Sequence, residues 1–177
     1  QSFKNKFPIL LNSRNLIYLD NASTTHKPQS VIDAMSYYQE HSYANIHRWV
    51  YQLAEESERL YKDSKIKVAN LIGWDVREII YTYNATYASN ILAQSLVQTY
   101  NIWLWDIVLV WIRDHHATIV PRQLLAKQKG FEVQFIFIDK ETWDIDRKQL
   151  EQSLDTKKVK AVICSHVSNV TWIIYDM

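Results

Sequence analysis

Apolar positions in the second half of the chain fall in short runs rich in Ile, Val and Leu, separated by longer segments with helical spacing. "DIVLV" (106–110), "VQFIFI" (133–138) and "KAVICSH" (160–166) read as strands, continuous enough to be covered on both faces. Between them, "TIVPRQLLAKQK" (118–129) and "DRKQLEQSL" (146–154) predict helices. Nearer the N-terminus, "LIYLD" (16–20) and "EIIYT" (78–82) read as two further strands. Pro28 suits the first turn of a helix through "QSVIDAMSYYQEH" (29–41). Val50, Leu53, Leu60, Ile66, Val68 and Leu71 place a longer helix on Arg48 to Leu71, and "NATYASNILAQSLVQTY" (84–100) opens with small polar residues before becoming helical. The alternation predicts βαβ units: an α/β fold of three α/β/α layers on a mostly parallel sheet, preceded by an N-terminal helical segment.

Such a sheet binds its ligand beyond the carboxyl ends of the strands. The polar residues there are Asn84 to Thr86, Asp114 to His116, and Ser165 to Asn169. A helix starting near Ala85 points backbone N–H groups and its positive end at an anion, and the Thr86 hydroxyl completes a phosphate cup. The plainer alternative is that Asn84 and Thr86 only cap the helix. His115 and His116 lack the spaced third and fourth partners of a zinc site, so no metal is expected.

Composition narrows the class. The net charge is +1, with 22% charged and 47% hydrophobic residues, as in one soluble, well-packed domain. No basic stripe calls for nucleic acid, and no apolar run is long enough to span a membrane. The opening "QSFKNKFPILLNSRN" lacks the apolar core and cleavage site of a signal peptide. Cys164 is the sole cysteine, so no internal disulfide can form and a reducing cytoplasm is the expected compartment. One property is out of line. The chain has two glycines, where about a dozen are expected at this length, and seven tryptophans, three of them in "NIWLWDIVLVW" (101–111).

Four segments carry a resemblance: "YLDNASTTHKPQSVIDAM" (18–35), "YANIHR" (43–48), "DHHATIVPRQLL" (114–125) and "SHVSNV" (165–170). In this order they resemble the N-terminal half of a SufS-type cysteine desulfurase, a fold-type-I, pyridoxal-phosphate (PLP)-dependent enzyme of the class V aminotransferase family. The likeness runs from about Ile17 to Trp172. It implies that His115 stacks on the pyridine ring of PLP and acts as an acid/base. Thr86 and the backbone around Ala85 would hold the cofactor phosphate, and Asn169 the phenolic oxygen. Ala22, Ser23 and His47 would line the substrate side, with Arg48 beside them. Two positions depart from the family's phosphate loop, where Asn84 replaces Gly and Tyr87 replaces Glu; Asp114 stands where Glu is common.

The resemblance also implies a division into an N-terminal segment with the substrate-side loop (1–47) and the first part of the PLP-binding large domain (48–177). The family's cofactor-carrying lysine, its aspartate on the pyridine nitrogen, its nucleophilic cysteine and its carboxylate-clamping arginine would all follow Met177. Cys164, inside a predicted strand, reads as a packing residue. The implied activity of the full-length parent converts L-cysteine to L-alanine. Sulfur would pass as an enzyme persulfide to an acceptor protein for iron–sulfur cluster assembly, in a cytoplasmic homodimer; this portion alone is expected to be inactive. The alternatives are a related family member such as selenocysteine lyase, or a non-catalytic truncated module. Against the last stands the exposed edge of an incomplete sheet.

The same alignment bears on the tryptophans. The family's "HRG" stands here as "HRW" with Trp49, its "GD" turn as Trp105-Asp106, and its "SNV-x-G" as "SNVTW" with Trp172. Trp143 lies in a turn where the family has a glycine nearby, and Trp74, Trp103 and Trp111 sit where glycine is plausible. The expectation is a codon, UGA, that the host reads as glycine. Reading all seven that way would raise the glycine count from two to nine, near ordinary usage.

Overall fold

All five residues of β1 (Ile107–Trp111) are buried, as a strand covered on both faces must be. The computed structural model describes residues 2–13, 15–46, 50–168, 170 and 172–175. The chain divides into two compact units, Gln1–Ile80 and Tyr81–Met177.

The first unit is helical. A 3-10 turn (Phe3–Lys6) leads into α1 (Pro8–Asn12), then α2 (Gln29–His41) and α3 (Gln52–Ile72). Pro28 occupies the N-cap of α2, one position before the expected site, because its extended backbone turns the chain into the helix. The Tyr38 hydroxyl donates to Ser57 Oγ, and Ser57 Oγ donates to the Ser42 carbonyl; the two bonds tie α2 to α3. Neither expected strand of this region forms. Residues 16–20 are irregular, with Ile17 and Leu19 more than four-fifths exposed. Val76–Glu78 is a 3-10 turn closed by a capping box from Asp75. A strand exists only by pairing, and among the described residues no partner reaches either run.

The second unit holds the sheet. Its order is β2 (Glu132–Ile136), β1, β3 (Val159–Ile163), and both pairings are parallel. The helices are α4 (Ala85–Thr99), α5 (His116–Lys129) and α6 (Arg147–Leu154), each within two residues of its expected span. Alternate residues of β1 serve two cores, as the period of two requires. Val108 and Val110 pack with Val97 of α4, Ile119 and Leu125 of α5, and Phe131. Ile107, Leu109 and Trp111 pack with Ile136, Ile145, Tyr175 and Leu150 of α6. Helices therefore cover both faces, and the fold is α/β with a parallel sheet of three strands among the described residues.

Both glycines close helices in the left-handed region: Gly73 after α3 (φ 73°) and Gly130 after α5 (φ 86°). At Gly130 an added Cβ would also sit 3.0 Å from the Leu104 side chain. Among the described residues, three more left-handed positions are held by Asn15, Asn101 and Lys157. The remaining three are tryptophans: Trp105 (φ 76°), Trp143 (φ 63°) and Trp172 (φ 61°). Asparagine tolerates this conformation, but bulky side chains there are outliers. Trp105 is the third residue of a four-residue turn closed by the Asp106 N–H donating to the Trp103 carbonyl at 3.1 Å. A positive φ at that place is the type II arrangement, which favours Gly or Asn. Trp172 closes a loop by donating its N–H to the Ser168 carbonyl at 2.9 Å.

Trp111 differs. It is fully buried and packs edge-on against Tyr175 with ring centroids 3.8 Å apart, so glycine there would empty part of the core. Trp49 lies outside the described residues.

Replacing Trp105, Trp143 or Trp172 by Gly is expected to raise the unfolding free energy by about 1 kcal/mol each, through relief of the left-handed strain. Trp111→Gly should lower it by about 3–5 kcal/mol. Urea unfolding of the four variants measures this, and a loss of stability at the three turns would remove the case for glycine there. The gene should carry UGA at those three codons; UGG would end the recoding idea.

Candidate functional site

The first turn of α4 forms around Asn84, whose extended backbone and side chain cap the helix: Asn84 Oδ1 accepts the Tyr87 N–H at 2.8 Å. The cap accounts for the third amide of the turn. The amides of Ala85 and Thr86 lie ahead of the first intrahelical bond, where a helix N-terminus offers donors to an anion. Ala85 and Thr86 are both exposed, and no acidic residue stands in the turn to repel a phosphate. The capping and anion-binding readings are compatible, since they use different amides.

His115 follows β1 and is the N-cap of α5. Its Nδ1 accepts the Ala117 N–H at 3.0 Å. That bond assigns the proton of the neutral imidazole to Nε2, fixing one tautomer. The ring is exposed, and the His116 ring stands nearly perpendicular to it at 6.4 Å. His115 thus combines a pinned orientation with an accessible N–H.

Asp114 points the other way. Its carboxylate is buried, and Oδ1 accepts both the backbone N–H of Ser165 at 3.0 Å and the Ser165 hydroxyl. These bonds join the segments that follow β1 and β3. Arg122, on α5, is buried as well; its Nη1 donates to Ser89 Oγ of α4 at 2.6 Å and to the Thr118 carbonyl at 2.7 Å. Burial raises the Asp114 carboxyl above its ordinary value, with the Ser165 bonds and the Arg122 charge pulling against it. Burial pushes the Arg122 guanidinium down, opposed by Asp114. Burial, then the nearby Asp114 charge, raises the Cys164 thiol, which is the reverse of what an activated nucleophile needs.

The second unit therefore holds Ala85, Thr86 and His115 on two helix starts linked by the Arg122–Ser89 bond. Asn169 lies outside the described residues, between Ser168 and Val170 of the loop after β3. Ala22 and Ser23 belong to the first unit, in an exposed turn where the Ser23 and Thr24 N–H groups both donate to the Asp20 carbonyl. His47 and Arg48 lie outside the described residues. Arg122 and Ser89 drew no attention in the sequence. An arginine inside "TIVPRQLL" reads as surface, and only its position between Pro121 and Gln123 on a buried helix face hints otherwise. No group of three or more His, Cys, Asp or Glu among the described residues could hold a metal ion. None of the described helices is long and apolar enough to cross a membrane.

Residues 17–177 match the family described as aminotransferase class V. A relative from Synechocystis, described as a probable cysteine desulfurase, is 36% identical over 168 residues, covering 92% of this chain and 39% of its own length. The solved apo structure of a cysteine desulfurase from Thermococcus onnurineus superposes with a TM-score of 0.87 at 30% identity, covering 98% of this chain and 41% of that one. At 19% identity, a variant of C-DES with glycine covalently linked to its PLP cofactor shares the fold (TM-score 0.78), covering 99% of this chain and 43% of that one. The chain thus spans about two fifths of the length of the proteins it matches.

The raised Asp114 carboxyl has a consequence for stability. In the folded state it binds its proton more tightly than when unfolded. Its contribution is fully present below the ordinary carboxylate range and is lost as pH rises through the raised value. Across that window the protein should lose stability relative to Asp114→Asn, which has nothing to ionise. Urea unfolding of both proteins at a series of pH values measures the difference, and a pH-independent difference would exclude the buried carboxyl as its source.

Proposed function

The chain belongs to the class V aminotransferase family, and from that premise we propose that it is the N-terminal part of a PLP-dependent cysteine desulfurase of the SufS type. In this reading residues 1–47 form the N-terminal segment and substrate-side loop, and residues 48–177 begin the PLP-binding large domain. The full-length protein converts L-cysteine to L-alanine and hands the sulfur, as an enzyme persulfide, to an acceptor protein of iron–sulfur cluster assembly. It works as a cytoplasmic homodimer. The lysine that carries the cofactor, the nucleophilic cysteine and the carboxylate-binding arginine come from sequence beyond Met177.

The single observation that carries the reading is the pairing of two helix starts. An exposed, acid-free first turn at Ala85–Thr86 suits a phosphate, and an exposed imidazole at His115 has its proton assigned to Nε2. The residues fit PLP. Ala85 and Thr86 would bind its phosphate through first-turn amides and the Thr86 hydroxyl. His115 would lie on its ring, and Asn169 would donate to its phenolic oxygen. Bound there, PLP supplies the electron sink that stabilises negative charge at the substrate α-carbon. His115, with Nδ1 held by the Ala117 N–H, has only Nε2 through which to hold or move a proton near the substrate. Ala22, Ser23, His47 and Arg48 would shape the substrate side.

The test uses the full-length gene product. His115→Asn keeps a capping side chain and should preserve the helix. It is expected to cut L-alanine formation from L-cysteine, with a dithiol present to reduce the persulfide, by about 10²-fold or more, the scale of a lost acid/base. His116→Ala should stay within a few-fold of the parent. Equal losses from the two changes would show that the wrong imidazole is assigned. Borohydride reduction of the PLP-loaded protein should fix the label beyond Met177; a single labelled lysine within residues 1–177 would refute the fragment reading.

A further inference from the structure

Ala85, Thr86 and His115 are exposed, yet directly behind His115 lies a buried polar network that the chemistry above does not use. Asp114 and Arg122 are only 7% and 5% exposed. A buried charge is costly unless fully paired, and this pair is not: Asp114 Oδ2 and Arg122 Nε are buried without hydrogen-bond partners among the described residues. Stability alone gives no reason for the arrangement. Its geometry does. Asp114 immediately precedes His115, and its Oδ1 takes both the N–H and the hydroxyl of Ser165, 51 residues away, on the segment leaving β3. The backbone turn that presents the imidazole is therefore bolted to the neighbouring strand through one carboxylate oxygen.

We propose that Asp114 and Ser165 form a positioning clamp for His115, setting where its imidazole stands relative to a ligand at the strand ends. The inference rests on the reading that His115 faces the bound cofactor. Asp114 and Ser165 touch neither substrate nor cofactor and act only through the turn at His115. The neutral part of the clamp is the Ser165 hydroxyl, whose removal leaves the Ser165 N–H bond to Asp114 in place. Ser165→Ala is therefore the gentle probe, and Asp114→Ala, which strands the Arg122 charge, is the severe one.

The experiment compares His115→Asn, Ser165→Ala and the double variant in the full-length, PLP-loaded protein, with L-cysteine as substrate. Ser165→Ala is expected to lower kcat by about tenfold or more with KM nearly unchanged, as for a displaced reacting group. In the His115→Asn background it should have no further effect, because its influence passes through that ring. A merely structural role would instead give losses that multiply. As a readout apart from turnover, amide hydrogen exchange in the apoprotein should quicken in the peptide spanning Ile112 to Ala117 on Ser165→Ala. Normal kcat for Ser165→Ala, or multiplying losses, overturns the clamp and leaves the function standing. Full activity of His115→Asn overturns the role of His115 and the clamp with it. If Asp114→Ala fails to fold, the Ser165→Ala cycle still decides the matter.

Discussion

A parallel pair of strands cannot be closed by a tight turn; each pairing demands a crossover. β1 is paired in parallel on both sides, so the chain must leave it, return to one flank, and cross again to the other. The carboxyl ends of β1 and β3 consequently emerge together, bringing Asp114 and His115 beside Ser165 despite their distance in sequence. Everything distinctive about the second unit follows from that forced juxtaposition. It fixes which loops can carry chemistry and which side chains must be buried beneath them.

The burial is not free. Two charged groups share the space under the strand ends, and each keeps one polar atom without a hydrogen-bond partner among the described residues. Replacing such a pair with apolar residues of similar volume is often neutral or stabilising in proteins. What apolar residues cannot do is hold two loops and two helices in register through directional bonds. Arg122 reaches Ser89, one turn into α4, so the start of that helix is referenced to α5 through a side chain, with no strand before it among the described residues. The start of α4 is thus held by a guanidinium where no preceding strand forms.

This contrast shows what the residue pattern could reveal. The runs at 106–110, 133–138 and 160–166 were legible as strands because continuous Val and Ile imply cover on both faces. The helices between them were legible through their spacing. "LIYLD" and "EIIYT" carry the same local signal, but pairing is not local, and it failed there. Asp114 to His116 and Ser165 do follow strands, as topology led one to expect, whereas Asn84 to Thr86 follow the run at 78–82, where no strand forms; His115 and Thr86 were singled out as candidates by motif. Asp114 was visible as a strand-end polar residue and as a departure from a pattern, but not as a buried group, and the guanidinium of Arg122 was invisible because amphipathic reasoning assigns charge to the surface. Asn84 could be read in two ways, and the first turn of α4 accommodates both.

The exposed tryptophans, three of them left-handed, have an optical consequence. Trp74, Trp103, Trp105, Trp143 and Trp172 are all exposed, whereas Trp111 is sealed in the core against Tyr175. A chain carrying indoles at all these places would emit mainly from water-relaxed fluorophores, at long wavelength and open to collisional quenchers. A chain from a cell that inserts glycine at the exposed sites would emit chiefly from Trp111, blue-shifted, quencher-resistant and dimmed by energy lost to its surroundings. The emission spectrum of the protein taken from its own cell thus reports which amino acid the ribosome placed in those turns.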